Sequence, residues 1–356
     1  MVRTACSVSI CVVLAGVPAA AQWLHQPTVG IPRDAEGQPK LDAPAPKLPD
    51  GTPDLSGYWN QPLLPAYLLD ITTDLPADAI TPRASALYAQ RLSEFGKDDP
   101  ATIGCLPSGP RNIIGGGTAA RVRIVQTPYV IAALFEDLTH RQIHLDGRSL
   151  PDDPNPSFMG YSVGKWEGDT LVVETNGFNG RTWLDFGGHP YGEHLKTIER
   201  WRRVSFGRIE REVTLMDGEF YKQPMVLQLP MTFAADTDML EYVCAENPKT
   251  RPHLVGRTEQ ERKVVVRPEL LQRYVGTYEA VGSLELGLRQ FTVSLENDQL
   301  FVALNGKGRI RMAPMSDTTF SPRLLGTVEF MVDASGVVTH ALAHRAEGTA
   351  RFNRRR

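Results

Sequence analysis

The segment Gly160-Tyr161-Ser162-Val163-Gly164 completes a Gly-x-Ser-x-Gly pattern, which in a serine hydrolase presents the nucleophile on a strand-to-helix elbow. Here it runs into Lys165-Trp166-Glu167-Gly168-Asp169 and then a β-branched run from Thr170 to Thr175. That order predicts strand, turn and strand, with no helix behind the serine. The context argues against Ser162 as a nucleophile and leaves a serine hydrolase as an alternative reading. The glycine-rich, aromatic segment from Trp183 to His194 offers different chemistry. His189 titrates near neutral pH and could act as a general acid or base, oriented by Asp185 or Glu193. The competing reading of Gly188-His189-Pro190 is a turn in which the imidazole bonds a carbonyl.

His140, His144 and Asp146 recur at even spacing, so on a strand they share one face. An inward face could hold a polar ligand, and an outward face would be solvated. No His-x-His or Cys-x-x-Cys pair completes a metal-ligand signature, so no metal site is predicted. No cofactor motif is present either, because Gly115-Gly116-Gly117 lacks the Lys-Ser/Thr of a phosphate loop. Arg141, Glu199 and Arg200 lie within apolar runs. Such charges either face outward or pair inside. Paired with one another they are structural, and inside a barrel they could instead hold a carboxylate or phenolate. Tyr161 and Trp183 offer aromatic walls, although core packing explains them more simply. The candidate ligand-binding set is Arg141, His144, Asp146, Tyr161, Trp183, His194, Glu199 and Arg200, with His189 and Asp185 as the candidate catalytic pair.

These residues must be positioned by strands. Turn signals at Gln126-Thr127-Pro128, Asp146-Gly147, Glu167-Gly168-Asp169, Phe206-Gly207 and Asp217-Gly218 separate predicted strands at 121–126, 129–136, 140–146, 159–166, 170–176, 195–205, 208–216, 224–231 and 238–244. A helix over 82–96 starts with Thr81 as N-cap and Pro82 at its first position, and Gly96 can close it. Residues 22–57 are proline-rich and predict an arm, either strapped to the domain or partly disordered. The arm contains a short repeat, Glu36 to Asp42 and Asp50 to Ser56. After a polar linker at 251–265, a second strand-rich unit fills 266–356, with strands near 290–295, 299–304, 308–313, 326–332, 337–344 and 349–353. The predicted fold is mainly β: two antiparallel meander barrels, lipocalin-like, with one N-terminal helix and a Pro-rich arm. The larger barrel domain spans 58–250.

In the second unit, Leu271-Gln-Arg-Tyr-Val-Gly-Thr-Tyr278, Leu295-Glu-Asn-Asp-Gln-Leu-Phe301 and Asp333-Ala-Ser-Gly-Val-Val-Thr339 resemble the small lipocalin-like β-barrel appended to serine β-lactamase-like and penicillin-binding-protein-like enzymes. That resemblance implies a barrel that accompanies a catalytic domain without being the catalyst. The larger unit is similar to exported bacterial proteins of unassigned function through Val125-Gln-Thr-Pro128, the Trp166–Thr175 hairpin, Thr182-Trp-Leu-Asp185 and Tyr242-Val-Cys-Ala-Glu-Asn247.

Residues 1–21 read as a signal peptide: Arg3, an apolar run from Ile10 to Val17, and cleavage after Ala21. Cys6 and Cys11 fall within it, and export predicts a disulfide between the remaining Cys105 and Cys244. A periplasmic or secreted location follows. No segment reaches the roughly 20 apolar residues that a membrane-spanning helix needs. The net charge of −3 argues against nucleic acid as a partner. The leading expectation is an exported protein whose larger barrel binds a small, partly apolar molecule and transforms it by acid–base chemistry. The alternatives are a non-catalytic envelope protein, whose arm docks a partner, and the hydrolase using Ser162. The sequence alone leaves enzyme and binding protein both open.

Overall fold

In a computed structural model, residues 26–61, 70–93, 98–115, 121–244, 264–282, 288–322, 326–333, 335–345 and 348–355 are described. The predicted signal peptide, Gly96, Gly116 and Gly117, and most of the predicted linker lie outside them.

The first barrel begins with β1 (Gly57–Asn60), followed by α1 (Pro82–Ser93) and the short α2 (Pro110–Ile113). The strands β2 (Arg121–Gln126), β3 (Val130–Phe135), β4 (His140–His144), β5 (Tyr161–Glu167), β6 (Thr170–Asn176), β7 (Lys196–Ser205) and β8 (Arg208–Met216) then pair in chain order. β9 (Met225–Gln228) and β10 (Met231–Phe233) share the remaining edge of β8, and β10 closes the barrel onto β1. The predicted strand at 224–231 is thus two strands, separated at Leu229-Pro230, where proline has no N–H for the ladder. The predicted strand at 238–244 is absent. The chain there pairs with no strand and is held by single contacts such as Tyr242 N–H to the Glu136 carbonyl.

One pairing breaks the meander. β4 and β5 run parallel, joined only at Ile143–Ser162 and His144–Val163. Parallel neighbours need a crossover. The connector from Leu145 to Gly160 supplies it, carrying Pro151, Pro154 and Pro156.

Along the strands, buried and exposed residues alternate, which sets the barrel's inner face. That face is not uniformly apolar. On β7 the inward positions are Thr197, Glu199, Trp201 and Arg203, and on β8 they are Ile209, Arg211, Val213 and Leu215.

The Pro-rich arm is an ordered strap. Its two repeat copies fold alike: Asp34 N–H bonds Gln38 O and Lys40 N–H bonds Pro32 O, and fourteen residues on Leu48 N–H bonds Thr52 O and Asp54 N–H bonds Pro46 O. Phe206 and Gly207 donate to Ala43 and Leu41, which docks the arm on the β7–β8 turn.

The second barrel is introduced by α3 (Pro268–Tyr274), where the sequence predicted only strands. It closes through eight strands: β11 (Gly276–Ala280), β12 (Gln290–Glu296), β13 (Gln299–Leu304), β14 (Lys307–Pro314), β15 (Thr319–Ser321), β16 (Thr327–Val332), β17 (Val338–Arg345) and β18 (Gly348–Arg354). Its interior is filled by aromatic rings. Tyr274 from α3 stacks on Phe330 at 4.5 Å, and Tyr278 stacks on Phe291 at 4.9 Å. Phe186, from the loop of the first barrel that carries His189, packs against this cluster. No helix among the described residues is long and apolar enough to cross a membrane.

Candidate functional site

The cleft lies at the parallel seam. The ladder between β4 and β5 starts only at Ile143 and Ser162, so the chain before each strand is free to diverge. Between Leu138–Gln142 and Ser157–Tyr161 the wall opens into a cavity of about 490 Å³. Leu138, Phe158 and Met159 give it apolar surface, and His140, Gln142 and Tyr161 give it polar edges. Gly160 sits at this lip with φ +67°, and a Cβ there would come within 2.6 Å of the Asn176 carbonyl. A side chain at this position is excluded on both counts.

Arg141 and Ser162 belong to both the cleft lining and the barrel interior. Arg141 donates from Nε to Ser162 Oγ at 2.9 Å and from Nη2 to Thr175 Oγ1 at 2.6 Å, and Nη2 lies 2.6 Å from Glu199 Oε1. Ser162 and Thr175 are cross-strand neighbours, and their hydroxyls meet at 3.0 Å. Glu199 also accepts from Trp201 Nε1 at 3.0 Å and faces Arg211 Nη1 at 3.9 Å. Burial pulls the Arg211 guanidinium down to about 10, against the pull of Glu199. The cluster thus sets two guanidiniums against one carboxylate, all buried.

This geometry also describes Ser162. It is the second residue of β5, with the rest of that strand, the Gly168-Asp169 turn and then β6 behind it. Its hydroxyl is held by a guanidinium and a threonine, neither of which is a base.

On the outer side of the seam His144 stacks on Tyr161 at 5.2 Å. Burial and the nearby Arg148 lower the His144 pKa. Asp146 lies beyond the end of β4 and is clamped by Arg148, which also reaches Tyr161 Oη at 2.8 Å. His140 and His144 do share the outward face of β4, opposite Arg141 and Ile143.

A second cluster centres on His189, at a separate place from the cleft. Its Nδ1 lies 2.5 Å from Asp185 Oδ2. Asp185 also accepts the backbone N–H groups of Ile71, Gly188 and His189. On the other side of the ring, Nε2 faces Thr72 Oγ1 at 3.2 Å and Asp70 Oδ1 at 3.7 Å. Tyr88 of α1 stacks flat on the imidazole at 3.8 Å. Arg91 donates to the Gly188 carbonyl at 2.8 Å and lies over Trp183. Burial alone would depress the His189 pKa. The Asp185 charge and hydrogen bond, with Asp70 behind them, outweigh it and hold the imidazole above its ordinary value. Asp185 is likewise pushed up by burial but is held low by His189 and its backbone donors. The ring is only 2 % exposed.

The predicted residues therefore divide. Arg141, His144 and Tyr161 line the cleft, and Glu199 backs it through Arg141. Asp185, His189 and Trp183 form the second cluster under α1. Arg200 points outward and pairs with exposed Glu167, and His194 is exposed. Arg211 was missed, although it sits at an inward position among Ile209, Val213 and Leu215, a signal of the same kind that drew attention to Glu199. Asp70, Thr72 and Tyr88 were missed for lack of any local signal. Among the described residues no group of three or more His, Cys, Asp or Glu side chains is placed to hold a metal ion. Comparison with known proteins finds neither a matching family model nor a matching curated relative.

Proposed function

We propose that the larger barrel binds a small, partly apolar molecule in the cleft at the β4–β5 seam. The observation that carries this reading is the cavity itself: about 490 Å³, with Leu138, Phe158, Met159 and Arg141 in its lining. Ligand sites commonly occupy about 300–1,000 Å³ and combine apolar lining with a few fixed polar groups. The aromatic filling of the second barrel supports a supporting role for that unit, in keeping with the appended barrels it resembles. Export, with cleavage after Ala21, is part of the same proposal. The Cys105–Cys244 pairing, with Cα atoms 5.6 Å apart, supports an oxidising compartment.

A ligand-observed NMR screen of small acids, alcohols and amides against the exported chain, carrying ¹³C-methyl methionine, tests the reading. Binders should shift the Met159 methyl resonance, and Tyr161→Ala should weaken them. A screen whose binders all leave Met159 unmoved removes the cleft from consideration.

A second reading places acid–base chemistry at His189. It is favoured by the alignment of Asp185, His189 and the Thr72 hydroxyl. An activity found for this protein should then fall by about 10²- to 10⁴-fold in His189→Gln, as for loss of a general base. Unchanged turnover in a folded variant retires that reading.

A further inference from the structure

Resting on the cleft reading above, we infer that the molecule bound at the β4–β5 seam carries a carboxylate, and that Arg141 is the group that recognises it. The first support is charge. Arg141, Glu199 and Arg211 are 3 %, 0 % and 3 % exposed and form one contact cluster, so one carboxylate serves two guanidiniums. A buried charge without a full counter-charge is costly. A ligand carboxylate would restore the balance. The second support is hydrogen-bonding capacity. Arg141 donates from Nε to Ser162 and from Nη2 to Thr175, Nη2 faces Glu199 as an ion pair, and among the described residues Nη1 donates to none. A guanidinium has donors to spare for a carboxylate, which is what makes arginine suited to that group.

The third support lies beside Arg141. Ser162, Thr175 and Thr197 occupy consecutive cross-strand positions on β5, β6 and β7, a row of three hydroxyls on the inner face. Two of them bond each other and Arg141. The Thr197 hydroxyl is buried and has no partner among the described residues. A barrel wall built only for packing would carry apolar side chains in this row. The rest of the cleft is apolar enough, through Leu138, Phe158 and Met159, for a hydrocarbon tail or ring. The implied ligand class is a small aryl or alkyl carboxylic acid in its ionised form.

Matched pairs test this on the exported wild-type chain: octanoate against octanamide, and phenylacetate against phenylacetamide. Isothermal titration gives affinity, and the Met159 methyl resonance reports cleft occupancy. The acids should shift Met159 and bind about tenfold or more tightly than their amides, since a hydrogen bond to an ion outweighs a neutral one. Arg141→Gln removes the cation and leaves Glu199 facing Arg211, one buried charge against one. It should bind acid and amide alike. If that variant does not fold, the wild-type acid-to-amide ratio decides alone. Equal affinities at Met159 overturn the carboxylate inference and leave the cleft reading standing. Acid binding that leaves Met159 unmoved also overturns the inference. If neither member of either pair binds, the carboxylate inference falls, and the wider screen alone decides the cleft reading.

Discussion

His189 Nδ1 sits 2.5 Å from Asp185 Oδ2, and that one carboxylate also anchors the backbone of Ile71 from more than a hundred residues away. The pair thereby joins the loop after β6 to the segment that leads into α1. With Asp70 on the far side and Tyr88 stacked on the ring, both carboxyl groups favour the protonated form of the imidazole. Its folded pKa is raised, so its contribution to stability is complete below the unfolded value of about 6.5 and fades as pH rises through the folded value. The Asp185 pKa is lowered, so its contribution is complete above about 4 and fades as pH falls through the folded value. The pair should matter most between about pH 4 and 6.5.

Removing Asp185 strands a buried imidazolium and four donors. Asp185→Ala should cost about 3–5 kcal/mol near pH 6, the usual penalty for breaking a buried ion pair. The cost should shrink toward alkaline pH, as the imidazole of the wild type loses its proton. Thermal unfolding of both proteins from pH 5 to 9 measures this. A difference that stays constant across that range would show that the ion pair contributes nothing beyond geometry.

Ser162 should not behave as a nucleophile. A fluorophosphonate probe should leave the native protein unlabelled, because the hydroxyl is 1 % exposed and is held by Arg141 and Thr175. Ser162→Ala should instead lower stability by about 1–3 kcal/mol by leaving the Arg141 Nε donor unsatisfied. Stoichiometric labelling at Ser162 would restore the hydrolase reading.

How far the sequence carried these conclusions depends on distance along the chain. Alternation and turn chemistry are local, so the strands from Arg121 to Met216 were legible to within two residues at their ends, as were the turns at Gly168 and Gly207. The helix was legible too: Thr81 caps it through Ala84 N–H, and Pro82 opens it. Alternation tells which residues share a face but not which strand lies alongside. The parallel β4–β5 seam was therefore invisible, although it creates the cleft. The same limit hid the surroundings of His189. Asp185, four residues away, could be named, whereas Thr72, Asp70 and Tyr88 arrive through the tertiary fold. Glu199 and Arg141 showed as charges in apolar strands, and their mutual pairing was the expected way to bury them.

The second barrel should behave as a packed core. Phe330 is 1 % exposed and contacts Tyr274, Tyr278 and Phe320. Phe330→Ala should cost about 3–5 kcal/mol in the unfolding of this barrel, the range for deleting a buried ring. Carboxylate affinity at the first barrel, measured below the unfolding transition, should be unchanged. Loss of that affinity in a folded Phe330→Ala protein would mean that the second barrel takes part in the ligand site.

The last prediction concerns the bond between Cys105 and Cys244, which are 139 residues apart in sequence. Cys244 follows the closing strand of the first barrel. Cys105 lies between α1 and α2, next to the buried Asp99–Arg111 pair, whose guanidinium bonds the Trp183 carbonyl and lies over Phe186. The bridge thus fastens the chain leaving the barrel to the structure beneath the His189 loop. A closure of this length should stabilise the protein by about 4–5 kcal/mol if restriction of the unfolded chain dominates. Alkylation of exported protein without reductant, followed by intact-mass measurement, should find no free thiol. Cys105→Ser with Cys244→Ser should lower the midpoint of denaturant unfolding without changing the ligand preference of the cleft. Two alkylated cysteines in the native protein would show that the bridge does not form, and the double variant should then unfold at the same denaturant concentration as the wild type.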